Sequence, residues 1–95
     1  MIDTGRTIAK AAAALKNAGA KSVVVAATHA VFSDPATEVL QSDFIDQVVV
    51  TDTLPIAEEK RWDRLTILPI APLLARAIRE VFEDGSVTSM FDGAA

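Results

Sequence analysis

Asp3, Thr4, Gly5, Arg6 and Thr7 set an acid, two hydroxyls, a glycine and a guanidinium side by side, directly ahead of an Ala-rich stretch from Thr7 to Ala18. If that stretch is a helix, its first backbone N–H groups lack partners and point outward with the positive end of the helix dipole. Hydroxyls beside such a terminus donate as well, so the run is suited to cradling a phosphate. The same residues also fit a plainer role, in which Thr4 or Thr7 simply caps the helix. Short Gly-containing turns do not by themselves separate the two.

Other side chains with chemical potential are few. His29 follows the apolar run Val23–Ala27, and Asp52 follows Val48–Thr51, each where a strand of an open α/β sheet would meet a ligand. His29 has no nucleophile or acid nearby in sequence, so a structural role is expected for it. Asp52 is expected to cap a turn. Trp62, inside a charged stretch, reads as a packing residue rather than a partner surface. With no Cys and one His, the chain offers no thiolate nucleophile, no disulfide framework and no Cys-built or His-rich metal site. No catalytic residue and no metal ligand is assigned.

The elements that must hold these residues follow from periodicity. Ile8, Ala12 and Leu15 share one face of the Thr7–Ala18 stretch, and Gly19 supplies a helix stop. The unbroken apolar run Val23–Ala27 suits a strand covered on both faces of a parallel sheet. Asp34 and Pro35 look like the cap and first residue of a short helix reaching Leu40. Val48–Thr51 and Leu65–Leu68 read as further strands, with the mixed-sign stretch Glu58–Arg64 as a solvated connection between them. Pro72 opens a last helix with an apolar stripe of Leu74, Ala77, Ile78, Val81 and Phe82. Arg76–Glu80 and Arg79–Glu83 lie four apart on its other side, and Gly85 closes it. Met90 and Phe91, apolar and beyond that stop, suggest a tail that docks on something. This order implies an α/β domain with a mainly parallel sheet. Such a domain ordinarily opens with a strand, whereas this chain opens at the turn.

Ninety-five residues, 51% of them hydrophobic, suit one small domain with a modest core that leans on neighbours. Nine basic against thirteen acidic residues give a net charge of −4, with the bases scattered, which argues against nucleic acid as a partner. A secretory signal and a membrane-length apolar run are both missing, so a soluble, cytoplasmic protein without a membrane partner is expected.

Taken together, the segments resemble the C-terminal third of ribose-phosphate pyrophosphokinases. Met1 to Thr7 is similar to the end of that family's phosphoribosyl pyrophosphate motif, Asp-Asp-Met-Ile-Asp-Thr-Gly-Gly-Thr. Ala27-Thr28-His29-Ala30-Val31-Phe32-Ser33-Asp34-Pro35-Ala36 is similar to its Ala-Thr-His-Gly-Val-Phe-Ser-Gly-Pro-Ala. Ile45-Asp46, the segment Val48 to Pro55, the segment Ala71 to Ala75, and Ser86-Val87-Thr88 with Phe91 follow in the family's order. The resemblance implies a three-layer, type I phosphoribosyltransferase-like half-domain. Residues 1–95 would be its C-terminal part, cut at the phosphoribosyl pyrophosphate loop.

The family transfers the β,γ-pyrophosphoryl group of ATP to the anomeric hydroxyl of ribose 5-phosphate, with Mg2+. By resemblance, Asp3, Thr4, Gly5, Arg6 and Thr7 hold the 5-phosphate. The ribose-binding acids, catalytic Lys and Arg, ATP domain and Mg2+ ligands would lie outside this chain, which is not expected to catalyse alone. Arg6, Ala30 and Asp34 stand where the family usually has glycine. A side chain at Arg6 costs about 1–2 kcal/mol if positive φ is required there; alternatively its guanidinium adds an anion ligand. Ser86, Val87, Thr88 and Phe91 correspond to a segment that contributes to an allosteric nucleotide and phosphate site between subunits. A homo-oligomer, or docking on the missing part of the enzyme, is implied. The alternative is a non-catalytic remnant that binds phosphate weakly or docks on the intact synthetase.

Overall fold

The structure, a computed structural model, describes residues 1–91. Helix α1 (Arg6–Asn17) is followed by strand β1 (Val24–Ala27), the single-turn helix α2 (Ala36–Val39), strands β2 (Gln47–Thr51) and β3 (Leu65–Leu68), and helix α3 (Ala71–Phe82). Short 3-10 turns occupy Glu58–Lys60 and Thr88–Phe91. The strands form one parallel sheet in the order β1-β2-β3, with Val25 opposite Val48 and Val50 opposite Ile67. The α/β class and the parallel sheet are those expected from the sequence.

Alternation along the strands decides what is buried. Val48 and Val50 of β2 are completely buried, and Val25, Ala27, Leu65 and Ile67 stand beside them on the same face. Ala12 of α1, Ala36 of α2, Leu40, Phe32 and Ile45 close over that face, and Ile2 completes the core from the N-terminus. Small residues at Ala12 and Ala36 let the two helices approach closely. The opposite face stays open: Val24 is 61% and Leu68 49% exposed. The expected coverage of the strands on both faces is therefore met on one face only, because α1 and α2 share a side.

Helix α3 stands away from this core. It has no buried residue, and Ile78, Val81 and Phe82 of its apolar stripe are 68%, 66% and 87% exposed. The radius of gyration, 16.3 Å, exceeds the roughly 12 Å of a compact domain of this length, as a projecting helix requires.

Local signals differ from expectation at three places. Asp34 does not cap α2; the N-cap is Pro35, no side chain bonds there, and the helix starts one residue later at Ala36. At the end of α3 the left-handed residue is Asp84 (φ 54°) rather than Gly85, so the chain turns one residue early. The stretch Glu58–Arg64 is more than a solvated connection. Lys60 Nζ donates to Phe32 O at 2.8 Å, and Arg64 donates to Ile45 O and Gln41 O, both at 2.7 Å. Arg61 donates to Ile56 O at 3.0 Å. Cations in this connection satisfy loop carbonyls that the sheet leaves unpaired. Trp62 packs against Phe32, ring centroids 5.9 Å apart, as a packing residue should.

Candidate phosphate-binding site

The N-terminal run is fixed at one point and open at the next. Ile2, 1% exposed, forms a parallel bridge with Ala30 just past the end of β1. Its N–H donates to His29 O at 2.9 Å, and its carbonyl accepts from Val31 N at 2.9 Å and Phe32 N at 3.1 Å. Three backbone bonds and a buried side chain thus anchor the residue immediately before Asp3.

From that anchor the chain must turn into α1 within three residues, and Gly5 makes the turn. It is the N-cap of α1 with φ 77°, ψ −1°, in the left-handed region where glycine has no Cβ penalty. Space confirms the requirement, since a Cβ at Gly5 would lie 3.1 Å from Leu40 Cγ. The first helical bond runs from Ala9 N to Gly5 O, so the N–H groups of Arg6, Thr7 and Ile8 are left without intrahelical acceptors.

No side-chain bond caps α1, which removes the plainer role considered for Thr4 and Thr7. Met1, Asp3, Thr4, Gly5, Thr7 and Ile8 instead line an open cleft of about 300 Å³ at the helix N-terminus. Free first-turn N–H groups, two hydroxyls and the positive end of the dipole of a 12-residue helix are features that suit an anion. Asp3 contributes an opposing charge at its rim and is exposed.

Arg6 is the first helical residue and does not have positive φ; the left-handed residue of the loop is Gly5. The backbone cost considered for an arginine in place of glycine therefore does not arise here. The Arg6 side chain is exposed and does not line the cleft.

Other sequence-selected residues lie elsewhere. His29 and Thr53 meet at the carboxyl ends of β1 and β2, with His29 Nδ1 2.7 Å from Thr53 Oγ1. Thr53 Oγ1 also lies within hydrogen-bond distance of Thr28 O, at 3.2 Å. Thr51 Oγ1 also donates to Thr28 O, at 2.6 Å. This cluster ties β1 to β2, in line with a structural His29. Asp52 does not cap its own turn as expected: Oδ1 accepts from Ile70 N, the residue just ahead of α3, at 2.8 Å, and so ties the end of β2 to the start of that helix.

Ser86, Val87, Thr88 and Phe91 form a separate turn. Ser86 Oγ accepts from Ser89 N at 3.4 Å, Met90 N donates to Val87 O at 3.1 Å, and Phe91 is 57% exposed. None of the four lines the N-terminal cleft. Among the described residues, no three His, Cys, Asp or Glu side chains are grouped so as to hold a metal ion. No described helix is long and apolar enough to cross a membrane.

Sequence reasoning missed Ile2 as the anchor and Leu40 as the floor under Gly5. Neither lies in a long periodic run; the bridge to Ala30 reveals the part of Ile2, and the close approach to Gly5 that of Leu40.

Comparison with known proteins agrees with this fold. Residues 1–92 match the model of the phosphoribosyl synthetase-associated domain. A ribose-phosphate pyrophosphokinase of Corynebacterium efficiens is 62% identical over 95 residues, all of this chain and 29% of that protein. One from Bifidobacterium longum is 63% identical over 92 residues, 97% of this chain and 27% of that protein. The crystal structure of phosphoribosylpyrophosphate synthetase from Mycobacterium smegmatis superposes with a TM-score of 0.83 at 58% identity, covering 90% of this chain and 28% of that one. The chain thus spans less than a third of the length of the relatives it matches. Matched along nearly its whole length and this similar in sequence and structure, the chain belongs to the phosphoribosyl synthetase-associated domain family.

Proposed function

We propose that this chain is the C-terminal part of a ribose-phosphate pyrophosphokinase and supplies the loop that holds the phosphate of ribose 5-phosphate. The observation that carries the reading is the cleft at the N-terminus of α1, lined by Thr4, Gly5, Thr7 and Ile8, where the first-turn N–H groups have no intrahelical acceptor. In it, Thr4 and Thr7 donate to phosphate oxygens, Gly5 lets the backbone approach, and Asp3 orders the turn. Each charge-assisted bond of this kind contributes about 1.5–3 kcal/mol when well aligned. ATP and Mg2+ belong to the remainder of the enzyme, and no step on this chain's residues passes through them. The tail Ser86, Val87, Thr88 and Phe91 is proposed as part of a regulatory site completed by other residues.

The test places this chain in the Corynebacterium efficiens relative in exchange for its matching 95 residues. The chimera should form 5-phosphoribosyl 1-pyrophosphate from ATP and ribose 5-phosphate. Thr4→Val and Thr7→Val should each raise KM for ribose 5-phosphate about ten-fold or more, as loss of one such bond implies. A folded, active chimera whose KM ignores both substitutions would sink the reading.

A second reading, a non-catalytic module that binds phosphate weakly or docks on the intact synthetase, is favoured by the exposed apolar side of α3. A well-folded but inactive chimera would select it.

A further inference from the structure

The loop ahead of α1 hangs from Ile2, and Ile2 is bonded through its backbone to His29, Val31 and Phe32. Phe32 is the unusual member of that segment. Its φ of 52° puts a bulky, buried residue in the left-handed region, a conformation such residues keep only where their surroundings fix it, and one that clusters at sites of function. Three contacts fix it. The ring lies against Trp62, the N–H donates to Ile2 O at 3.1 Å, and the carbonyl accepts from Lys60 Nζ at 2.8 Å. At the other end of the segment, His29 Nδ1 lies 2.7 Å from Thr53 Oγ1. Lys60 and Thr53 both belong to the connection between β2 and β3, so one stretch of chain grips both ends of the segment on which Ile2 rests. A cavity of about 90 Å³ lies between Val31 and Phe32 on one side and Ile56 and Lys60 on the other. The segment therefore has room to shift when the grip is lost.

We propose that Lys60 is a positioning residue for ribose 5-phosphate, acting through Phe32 and Ile2 on the loop Asp3–Thr7, with Thr53 as the second grip. Without the ammonium, Phe32 O is left unpaired in a part-buried place, and the left-handed backbone loses one of its three supports. Ile2 then moves with it. Only Asp3 and Thr4 stand between Ile2 and Gly5, and Gly5 is seated closely on Leu40, so a shift of Ile2 falls on Thr4 rather than on α1. The inference rests on the reading of this loop as the 5-phosphate site. It adds a residue that does not line the cleft.

The test has two arms. In this chain, Lys60→Met keeps the side chain's length and removes the donor, and should speed hydrogen exchange at the amides of Ile2, Val31 and Phe32 about ten-fold relative to those of Val48 and Val50 in the sheet. Asp46→Asn, which removes bonds at the amino ends of β1 and β2, should leave that ratio unchanged. In the chimera, Lys60→Met should raise KM for ribose 5-phosphate about three-fold or more, since only part of a lost charged bond is felt at the loop, and leave KM for ATP as it was. Lys60→Arg, which retains a charged donor, should restore most of the loss, and Thr53→Val should shift KM in the same direction as Lys60→Met. A merely structural Lys60 would not divide the two substrates in this way. Unchanged relative exchange at Ile2 in Lys60→Met would overturn the proposal, as would a KM for ribose 5-phosphate that stays constant in that variant while Thr4→Val raises it. A KM indifferent to Thr4→Val and Thr7→Val as well sinks the phosphate reading and the proposal with it, so the two failures are told apart. Where Lys60→Met does not fold, Lys60→Gln and Thr53→Val carry the same test. Where the chimera is inactive, the chain's dissociation constant for ribose 5-phosphate, read from the amide shifts of Thr4 to Ile8, takes the place of KM.

Discussion

Gly5 is the residue on which the geometry of the cleft turns. Its φ of 77° and the 3.1 Å between its notional Cβ and Leu40 Cγ make alanine costly there for two independent reasons. Gly5→Ala should destabilise the chain by about 1–2 kcal/mol in urea unfolding followed by Trp62 fluorescence, from the left-handed backbone alone. Asp46 is the residue that gives stability a pH dependence. Its carboxylate accepts from Val23 N at 2.7 Å and pairs with Lys16 Nζ at 3.2 Å, and these hold it below its ordinary value of 3.8, the backbone bond first. A lowered folded-state value means stability that is complete above the ordinary value and is lost as pH falls through the lowered one. Acid unfolding of the native chain and of Asp46→Asn should therefore show the native chain losing the greater share of its stability on acidification. Parallel curves would contradict this role.

At the scale of elements, the strands are held in place by side chains from outside them. Arg64, half-buried at the foot of β3, donates to Ile45 O and Gln41 O and so joins β3 to the segment entering β2. Arg64→Ala should cost about 1.5–3 kcal/mol, the usual worth of bonds from a charged donor, and Arg64→Lys should recover only part, since an ammonium cannot span both carbonyls. Thermal unfolding of the two variants measures it. The strands themselves were legible in the sequence because Val48–Thr51 and Leu65–Leu68 are β-branched or apolar runs bounded by turn residues. α1 was legible from its period and from Gly19, which indeed has φ 107°. The role of Arg64 was not, since a cation that bonds loop carbonyls leaves no periodic trace. Nor were the caps of α2 and α3, where Pro35 and Asp84 take places that local preference gives to Asp34 and Gly85. Of the candidate site, the turn of Asp3–Thr7 into α1 was legible, but which position carries positive φ required the structure.

Across the described residues the molecule is a parallel sheet with one face packed and one open, and α3 projects with its apolar side exposed. That shape agrees with a chain spanning 29% of a longer relative. On its own it should show no turnover with ATP, ribose 5-phosphate and Mg2+, because positioning and charge stabilisation drive such transfers and the resemblance assigns the groups that supply them to other parts of the enzyme. Formation of 5-phosphoribosyl 1-pyrophosphate by the purified chain, abolished by Asp3→Ala, would contradict this. Phosphate recognition, by contrast, should survive in the isolated chain, since Ile2, Gly5 and α1 build the cleft from local residues alone. The most direct test is an amide NMR titration of the chain with ribose 5-phosphate and, in parallel, with ribose. Saturable shifts centred on Thr4 to Ile8 are predicted for ribose 5-phosphate and not for ribose; equal shifts with both sugars, or none at that loop with either, would contradict the account.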